Sequence, residues 1–265
     1  MSAIVFENVY RYFTRDGKSF PALDGIDLTV ADKEVVALVG PSGCGKTTCL
    51  RLAAGFEVPT KGRVTVGGQP VNGPGPDRAV VFQQFALFPW KSVEDNIAFG
   101  LRNQGVSAST RFERVSAIIK LMGLEGYETA YPHQLSGGMQ QRVAIARAYV
   151  LDPEALLMDE PFGALDAQTR IEMQEELVRI ARVNPRTVLF ITHAVDEAVY
   201  LADRVAVMTR RPGRVKEILD VRNVRNAERW NHHERIEDVM DLESFVHLRT
   251  HIWRSLREEK IAVAP

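Results

Sequence analysis

Cysteine is scarce: Cys44 and Cys49 are the only two in 265 residues. They lie more than a helical turn apart along the chain, so no disulfide between them is expected and the composition fits a reducing compartment. A dominant charge sign is also missing, with 33 basic against 34 acidic side chains. That balance supplies no overall field to steer the chain onto nucleic acid. No apolar run approaches the ~20 residues that span a bilayer. The first residues, with Ser2, Ala3, Glu7 and Arg11, lack the basic-then-apolar layout of a signal peptide, so a soluble protein that stays where it is made is expected. The length is enough for one or two buried cores.

What is present is a concentration of glycine at one place. Gly40, Pro41, Ser42, Gly43, Cys44, Gly45, Lys46, Thr47 and Thr48 follow the apolar run Val35, Val36, Ala37, Leu38, Val39 and precede a helix-like segment at 49–54 that stops at Gly55. Strand, glycine-rich turn and helix in that order make a phosphate cradle. The glycines let successive N–H groups turn inward on one anion at the positive end of a helix. Lys46 adds a full charge where β- and γ-phosphates sit, Thr47 is placed to ligate Mg²⁺, and Thr48 can reach another phosphate. The pattern predicts binding of a nucleoside triphosphate. Cys44, inside the turn, is expected to be a thiol whose alkylation blocks nucleotide and which ATP protects.

Before the cradle, residues 4–13 and 26–30 alternate apolar and polar side chains, as half-buried antiparallel strands do, with Asp16 and Gly17 as a turn signal. Tyr10, Tyr12 and Phe13 each offer a ring that could stack on adenine. After the cradle come a short strand at 64–66, a breaker-rich loop at 72–76 and a buried strand at 79–82 that ends at Gln83. Gln83 is positioned to ligate Mg²⁺ or orient a water. Phe85, Leu87, Phe88, Pro89 and Trp90 then crowd apolar side chains around a proline, as core or as a docking surface.

From 93 to 124 the period becomes helical. Ile97, Phe99 and Leu101 share one helix; Phe112, Val115, Ile118, Ile119 and Met122 form the apolar stripe of the next, which Gly123 ends. The chain returns through Leu135, Ser136, Gly137, Gly138, Met139, Gln140, Gln141 and Arg142 into a helix at 143–150. The apolar strand 155–158 ends in Asp159 and Glu160. Paired carboxylates at a buried strand tip are costly unless a charge sits beside them. A magnesium nucleotide is such a charge, with Asp159 on the metal's water and Glu160 as proton acceptor. A strand at 187–191 delivers His193 to the same edge, where open α/β sheets bind ligands.

With Leu135 to Gly138 added to the cradle, the chain resembles the ATP-binding subunit of an ABC transporter over nearly its whole length. Within that family it is most similar to importers of nitrate, sulfonate and taurine, through Pro74, Gly75, Pro76, Asp77 and Arg78, through Phe88, Pro89 and Trp90, and through Arg210, Arg211, Pro212, Gly213 and Arg214. The resemblance implies an α/β P-loop NTPase core of the RecA kind, with an amino-terminal antiparallel β-subdomain and an inserted α-helical subdomain. It implies an ATPase domain over 1–215 with its insert at 85–150, and a short helical tail over 216–265. Phe13 corresponds to the adenine-stacking aromatic. Glu160 is then the general base, His193 the γ-phosphate sensor, and Gln83 the link between nucleotide and insert, with Thr47, Gln83 and Asp159 around Mg²⁺. Leu135, Ser136, Gly137, Gly138, Gln140 and Asp166 act in trans, so that a homodimer sandwiches two ATP molecules. Residues 85–90 receive a helix of a transmembrane permease subunit, which works with a substrate-binding protein. Such a protein sits peripherally on the cytoplasmic face of the inner membrane and has no nucleic-acid partner.

In the tail, Phe245, Leu248, Ile252 and Leu256 lie at helical spacing and dock a last helix. His247 and His251 could share a metal, but nothing is spaced to complete the shell. Arg210, Arg211 and Arg214 read as a solvated basic turn or a patch near acidic lipid or a partner. Two other readings use the same cradle. A soluble ABC ATPase acting on DNA or ribosomes has long coiled-coil insertions or two cassettes in one chain, and a nucleotide kinase or GTPase has no use for Leu135 to Gly138.

Overall fold

The alternation at the start of the chain does form a hairpin. In the computed structural model, which describes residues 2–233 and 235–261, β1 (Ser2–Arg15) and β2 (Lys18–Ala31) are antiparallel around a turn at Asp16 and Gly17. β2 begins well before the expected 26–30, because pairing with β1 carries the ladder through Pro21 and Gly25, residues that weaken a strand only in isolation. β4 (Lys61–Val66) and the two-residue β5 (Gln69–Pro70) complete a four-stranded antiparallel sheet in the order β2, β1, β4, β5.

The second sheet has six strands. β3 (Val35–Val39), β6 (Arg78–Val81), β7 (Ala155–Asp159), β8 (Val188–Ile191) and β9 (Arg204–Met208) run parallel, and β10 (Val215–Asp220) is antiparallel to β9 at the edge. The order is β10, β9, β3, β8, β7, β6. Parallel strands put all their carboxyl ends on one edge, so Val39, Val81, Asp159 and Ile191 finish side by side. β3 and β8, and β7 up to Asp159, are apolar because both of their faces are covered.

α1 (Lys46–Ala54) is the filling between the two sheets: Cys49, Leu50, Leu52 and Ala53 share a core with Ile4, Phe6 and Ile26 on one side and with Leu157 and Ile191 on the other. The opposite face of the parallel sheet carries α4 (Gly137–Tyr149), α5 (Ala167–Val183) and α6 (Val195–Leu201). The insert adds α2 (Val93–Asn103) and α3 (Ala108–Leu121), packed on each other and on α4. In α3, Val115, Ile118 and Ile119 are buried, as is Met122 just past its end, but Phe112 is 66% exposed. The buried stripe therefore starts at Val115, about one turn later than its spacing implied.

The tail departs from its expected start. Residues 215–220 are the edge strand β10, recruited by β9, and helix begins only with α7 (Val221–Ala227), followed by α8 (Ile236–Met240) and α9 (Glu243–Ile261). α9 docks through Phe245, Leu248 and Ile252, all buried, with Leu256 half-buried. His251 Nε2 lies 2.8 Å from Glu217 Oε2, and no group of three or more His, Cys, Asp or Glu side chains among the described residues is arranged to hold a metal ion.

Candidate nucleotide site

The turn between β3 and α1 requires glycine at specific points. Gly43 and Gly45 have φ of 76° and 101°, where a Cβ is strained, and a Cβ on Gly40 would press on Cys44 Sγ. Gly45 caps α1 without any side chain on the helix's first N–H groups, so those donors remain directed into the turn. Lys46 is buried, and its Nζ donates to the carbonyls of Gly40 at 2.8 Å and Pro41 at 3.3 Å. Ser42 and Thr47 are exposed and Thr48 half-buried around the same loop.

Cys44 does not fit the expectation of a reactive thiol. Its side chain is fully buried, and burial pushes the thiol's pKa up more than the nearby Lys46 pulls it down. Cys49, on the core face of α1, is pushed up further for the same reason. Position in the sequence put Cys44 in the turn; packing turned its sulfur to the core and its backbone to the cradle.

At the carboxyl edge Thr47, in the first turn of α1, lies beside Asp159 at the tip of β7 and helps to stabilise its charged form. Burial and the adjacent Glu160 raise the pKa of Asp159, with Arg51, Lys46 and Thr47 working against them. A cation of higher charge beside Asp159 relieves that repulsion, which is the fit the donor set offers to Mg²⁺. Glu160 has φ of 46°, a strained region for a residue with a Cβ, and its N–H is held by the Ile191 carbonyl at 3.0 Å. The strained backbone delivers Glu160 Oε2 to 3.1 Å from His193 Nδ1 and 3.4 Å from Gln83 Nε2. Three strand ends thus meet on a single carboxylate oxygen.

One supporting pair went unread in the sequence. The Thr192 hydroxyl donates to the buried Glu197 carboxylate, whose pKa is raised by burial, and accepts from Ala194 N–H at 3.0 Å, which fixes the backbone on both sides of His193. Glu197, one of two acids in the first turn of α6, lies on the face that packs inward, and that placement was the available signal.

Other candidate residues lie apart from this cluster. Phe13 pairs with Phe20 across the hairpin, ring centroids 6.3 Å apart, and the Arg11 guanidinium sits 4.6 Å from the Phe13 centroid. Tyr10 is turned toward Gly25 of its own sheet. The Ser136 hydroxyl caps α4 by accepting from Met139 N–H, and Gln140 Nε2 donates to the Leu135 carbonyl at 3.1 Å. Gly138 faces Thr169, Gly137 faces Leu165, and Asp166 caps α5 through Thr169 N–H. Leu135, Ser136, Gly137, Gly138, Gln140 and Asp166 therefore form a second surface on the α4 and α5 layer, whereas the cradle sits on the α1 layer.

The basic turn at 210–214 leaves Arg210, Arg211 and Arg214 exposed, as a solvated turn does, while its backbone at Gly213 is buried. Gly213 packs directly on the Cys44 carbonyl, its N–H donates to the Ala22 carbonyl at 2.9 Å, Arg214 is paired with Asp24, and the Arg211 guanidinium lies 5.6 Å from the Phe20 centroid. The turn braces the cradle from behind, which no local pattern in the sequence announced.

In the segment 85–90, Trp90 is 71% exposed and Phe85, Leu87 and Phe88 are half-buried. Its irregular backbone is held from within: Arg147 donates to the carbonyls of Ala86 and Phe85, and the Asn96 side chain bonds the backbone of Phe88 and Lys91. No helix among the described residues is long and apolar enough to cross a membrane.

Comparison with known proteins agrees with this architecture. The ABC transporter family model matches residues 23–163. The chain is 44% identical over 250 residues to a taurine import ATP-binding protein, TauB, of Burkholderia pseudomallei, covering 94% of each chain. It is 48% identical over 211 residues to a nitrate import ATP-binding protein, NrtD, of a Synechocystis species, covering 80% of this chain and 79% of that one. Among solved structures, a dimeric ATP-binding cassette in a post-hydrolysis state with ADP and Pi, MJ0796, superposes with a TM-score of 0.71 at 29% identity, covering 82% of this chain and 98% of the other. The cradle, the carboxylate-tipped β7 and the helical insert are thus those of a P-loop NTPase, and the chain belongs to the ABC transporter family as one of its ATPases.

Proposed function

We propose that this protein energises an ABC importer for small anions, with taurine, aliphatic sulfonates and nitrate as the candidate cargoes. The relatives named for taurine and nitrate import support that cargo class. The observation that carries the ATPase assignment to particular residues is the convergence on Glu160 Oε2 of His193 and Gln83, beside the Thr47 and Asp159 pair.

In this reading the N–H groups of 40–48 and the Lys46 ammonium bind the β- and γ-phosphates, and Phe13 stacks on adenine. Thr47, Gln83 and Asp159 hold Mg²⁺, which when bound neutralises phosphate charge. Gln83 also orients the attacking water, Glu160 takes its proton, and His193 holds Glu160 in position while contacting the γ-phosphate. Leu135, Ser136, Gly137, Gly138, Gln140 and Asp166 close the site of the other copy, since their own layer faces away from their own cradle. The homodimer closes on ATP and reopens after hydrolysis, and the segment 85–90, with its exposed Trp90, passes the motion to transmembrane permease subunits served by a substrate-binding protein. The protein then resides peripherally on the cytoplasmic face of the inner membrane.

The test is reconstitution with candidate permease subunits and their substrate-binding protein. ATPase activity that rises when the binding protein is loaded with taurine, an alkanesulfonate or nitrate identifies the cargo. Salt-sensitive binding to DNA or ribosomes, with no membrane partner, overturns the transport assignment.

A further inference from the structure

A second concave site lies away from the cradle. A cavity of about 460 Å³ opens between α5, the amino ends of β3 and β8, and the tail segment that carries Trp230 and Val239. That volume is in the range of small-molecule sites. Its floor is apolar, with Tyr149, Leu177, Trp230 and Val239 all buried. The tail wall is fixed in place: Trp230 packs on Phe245 with ring centroids 5.5 Å apart, and its Nε1 donates to Ser244 Oγ at 3.1 Å. The concavity is therefore preformed.

The mouth is cationic. Five basic side chains line the cavity, Lys33, Arg182, Arg186, Arg222 and Arg225, against two carboxylates, Asp32 and Asp203. Asp203 is already engaged by Arg222 at 2.8 Å, by Arg225 at 3.4 Å and by Val35 N–H. The Arg182 guanidinium donates to a neutral acceptor, the Asn231 amide oxygen, at 2.8 Å. Arg186 is paired through one terminal nitrogen with Asp152, while its Nε is buried without a hydrogen-bond partner. Basic side chains thus outnumber acidic ones among the residues that line the cavity, although Asp152, Glu175 and Glu237 lie close by, and the floor favours hydrocarbon.

We propose that this cavity binds an amphipathic organic anion, with its apolar body on Tyr149, Leu177 and Trp230 and a carboxylate or sulfonate head at Arg182 and Lys33. The chemistry calls for both parts: the head alone lacks the area to offset its immobilisation, and an apolar body with a cationic head meets repulsion at the rim. Nothing in the proposal depends on how nucleotide is held.

Isothermal titration of the full-length protein with decanoate tests it, with acetate and decyltrimethylammonium as comparison probes. Saturable one-to-one binding of decanoate is expected, together with at least a tenfold weaker response to either comparison probe. The double variant Lys33→Glu with Arg182→Glu, both exposed positions, should weaken decanoate at least tenfold. Ala181→Trp fills the cavity from α5 and should abolish binding; the two variants perturb different walls, so if one fails to fold the other decides. No saturation by decanoate up to about 1 mM, equal binding of the decyl cation, or undiminished affinity in a folded variant overturns the proposal.

Discussion

Glu160 Oε2 stands 3.1 Å from His193 Nδ1, so the end of β7 and the turn after β8 meet at one carboxylate oxygen. The strained Glu160 backbone and the Thr192 and Glu197 pair behind His193 hold the two side chains to that meeting point. Replacing Glu160 with Gln keeps the shape and the hydrogen bonds to His193 and Gln83 while removing the basicity. Glu160→Gln should retain ATP binding, accumulate as a dimer on size-exclusion chromatography with ATP, and release phosphate about 10²- to 10⁴-fold more slowly. Undiminished turnover would remove Glu160 from proton transfer.

The site's division between two layers leads to a mixing experiment. Ser136→Arg leaves the cradle intact, and Lys46→Ala leaves the α4 surface intact. Each variant alone should be nearly inactive, whereas a heterodimer of the two should hold one complete composite site under the proposed arrangement. Phosphate release from mixtures should exceed that of either parent and follow the heterodimer fraction. Mixtures no better than the parents would place both elements in the same copy's site.

Asp159 makes a prediction about pH. Burial and the neighbouring Glu160 raise its pKa above 3.8, so the native protein binds that proton more tightly than the unfolded chain does. The contribution of this position to stability is greatest at low pH and falls as pH rises through the raised value. Asp159→Asn carries no charge at any pH and should therefore melt above the parent on the alkaline side of that window, the gap closing toward acid. Melting curves without nucleotide from about pH 3 to about pH 8 measure this, and a gap that widens toward acid would reverse the sign.

Cys44 is enclosed although its loop is the proposed phosphate cradle. Native protein should react with a maleimide at least about 100-fold more slowly than protein in denaturant, because the thiolate is scarce and the sulfur is covered. Labelling should be slow with and without ATP. Fast native labelling would place the sulfur on the cradle's open side.

Gly213 tests the bracing turn. A methyl group there meets the Cys44 carbonyl, and neither backbone can yield without shifting the cradle. Gly213→Ala should cost about 1–3 kcal/mol, lowering Tm by about 2–4 °C per kcal/mol, and should weaken ATP binding even though residue 213 lies outside the loop. A variant with unchanged Tm and unchanged nucleotide affinity would separate the turn from the site.

The chemistry of the cradle was readable from order and spacing, because a phosphate loop is a local device: strand, glycines, lysine and hydroxyl lie within a few residues, and their conformations follow from short-range sterics. The carboxylates of Asp159 and Glu160 were readable for a similar reason, as charges ending an apolar strand. The amino-acid sequence also determined the layers, since fully apolar strands must be covered on both faces and period-two strands on one. Other features needed chain segments far apart in sequence to meet. β10 became a strand because β9 offered an open edge, Phe112 stayed exposed because no neighbouring element covers it, and Cys44 turned inward because α1 is packed between two sheets. The support of Gly213 beneath Cys44 and the cavity under Trp230 are tertiary for the same reason: each depends on distances between residues that no periodicity links, and only the packed chain decides them.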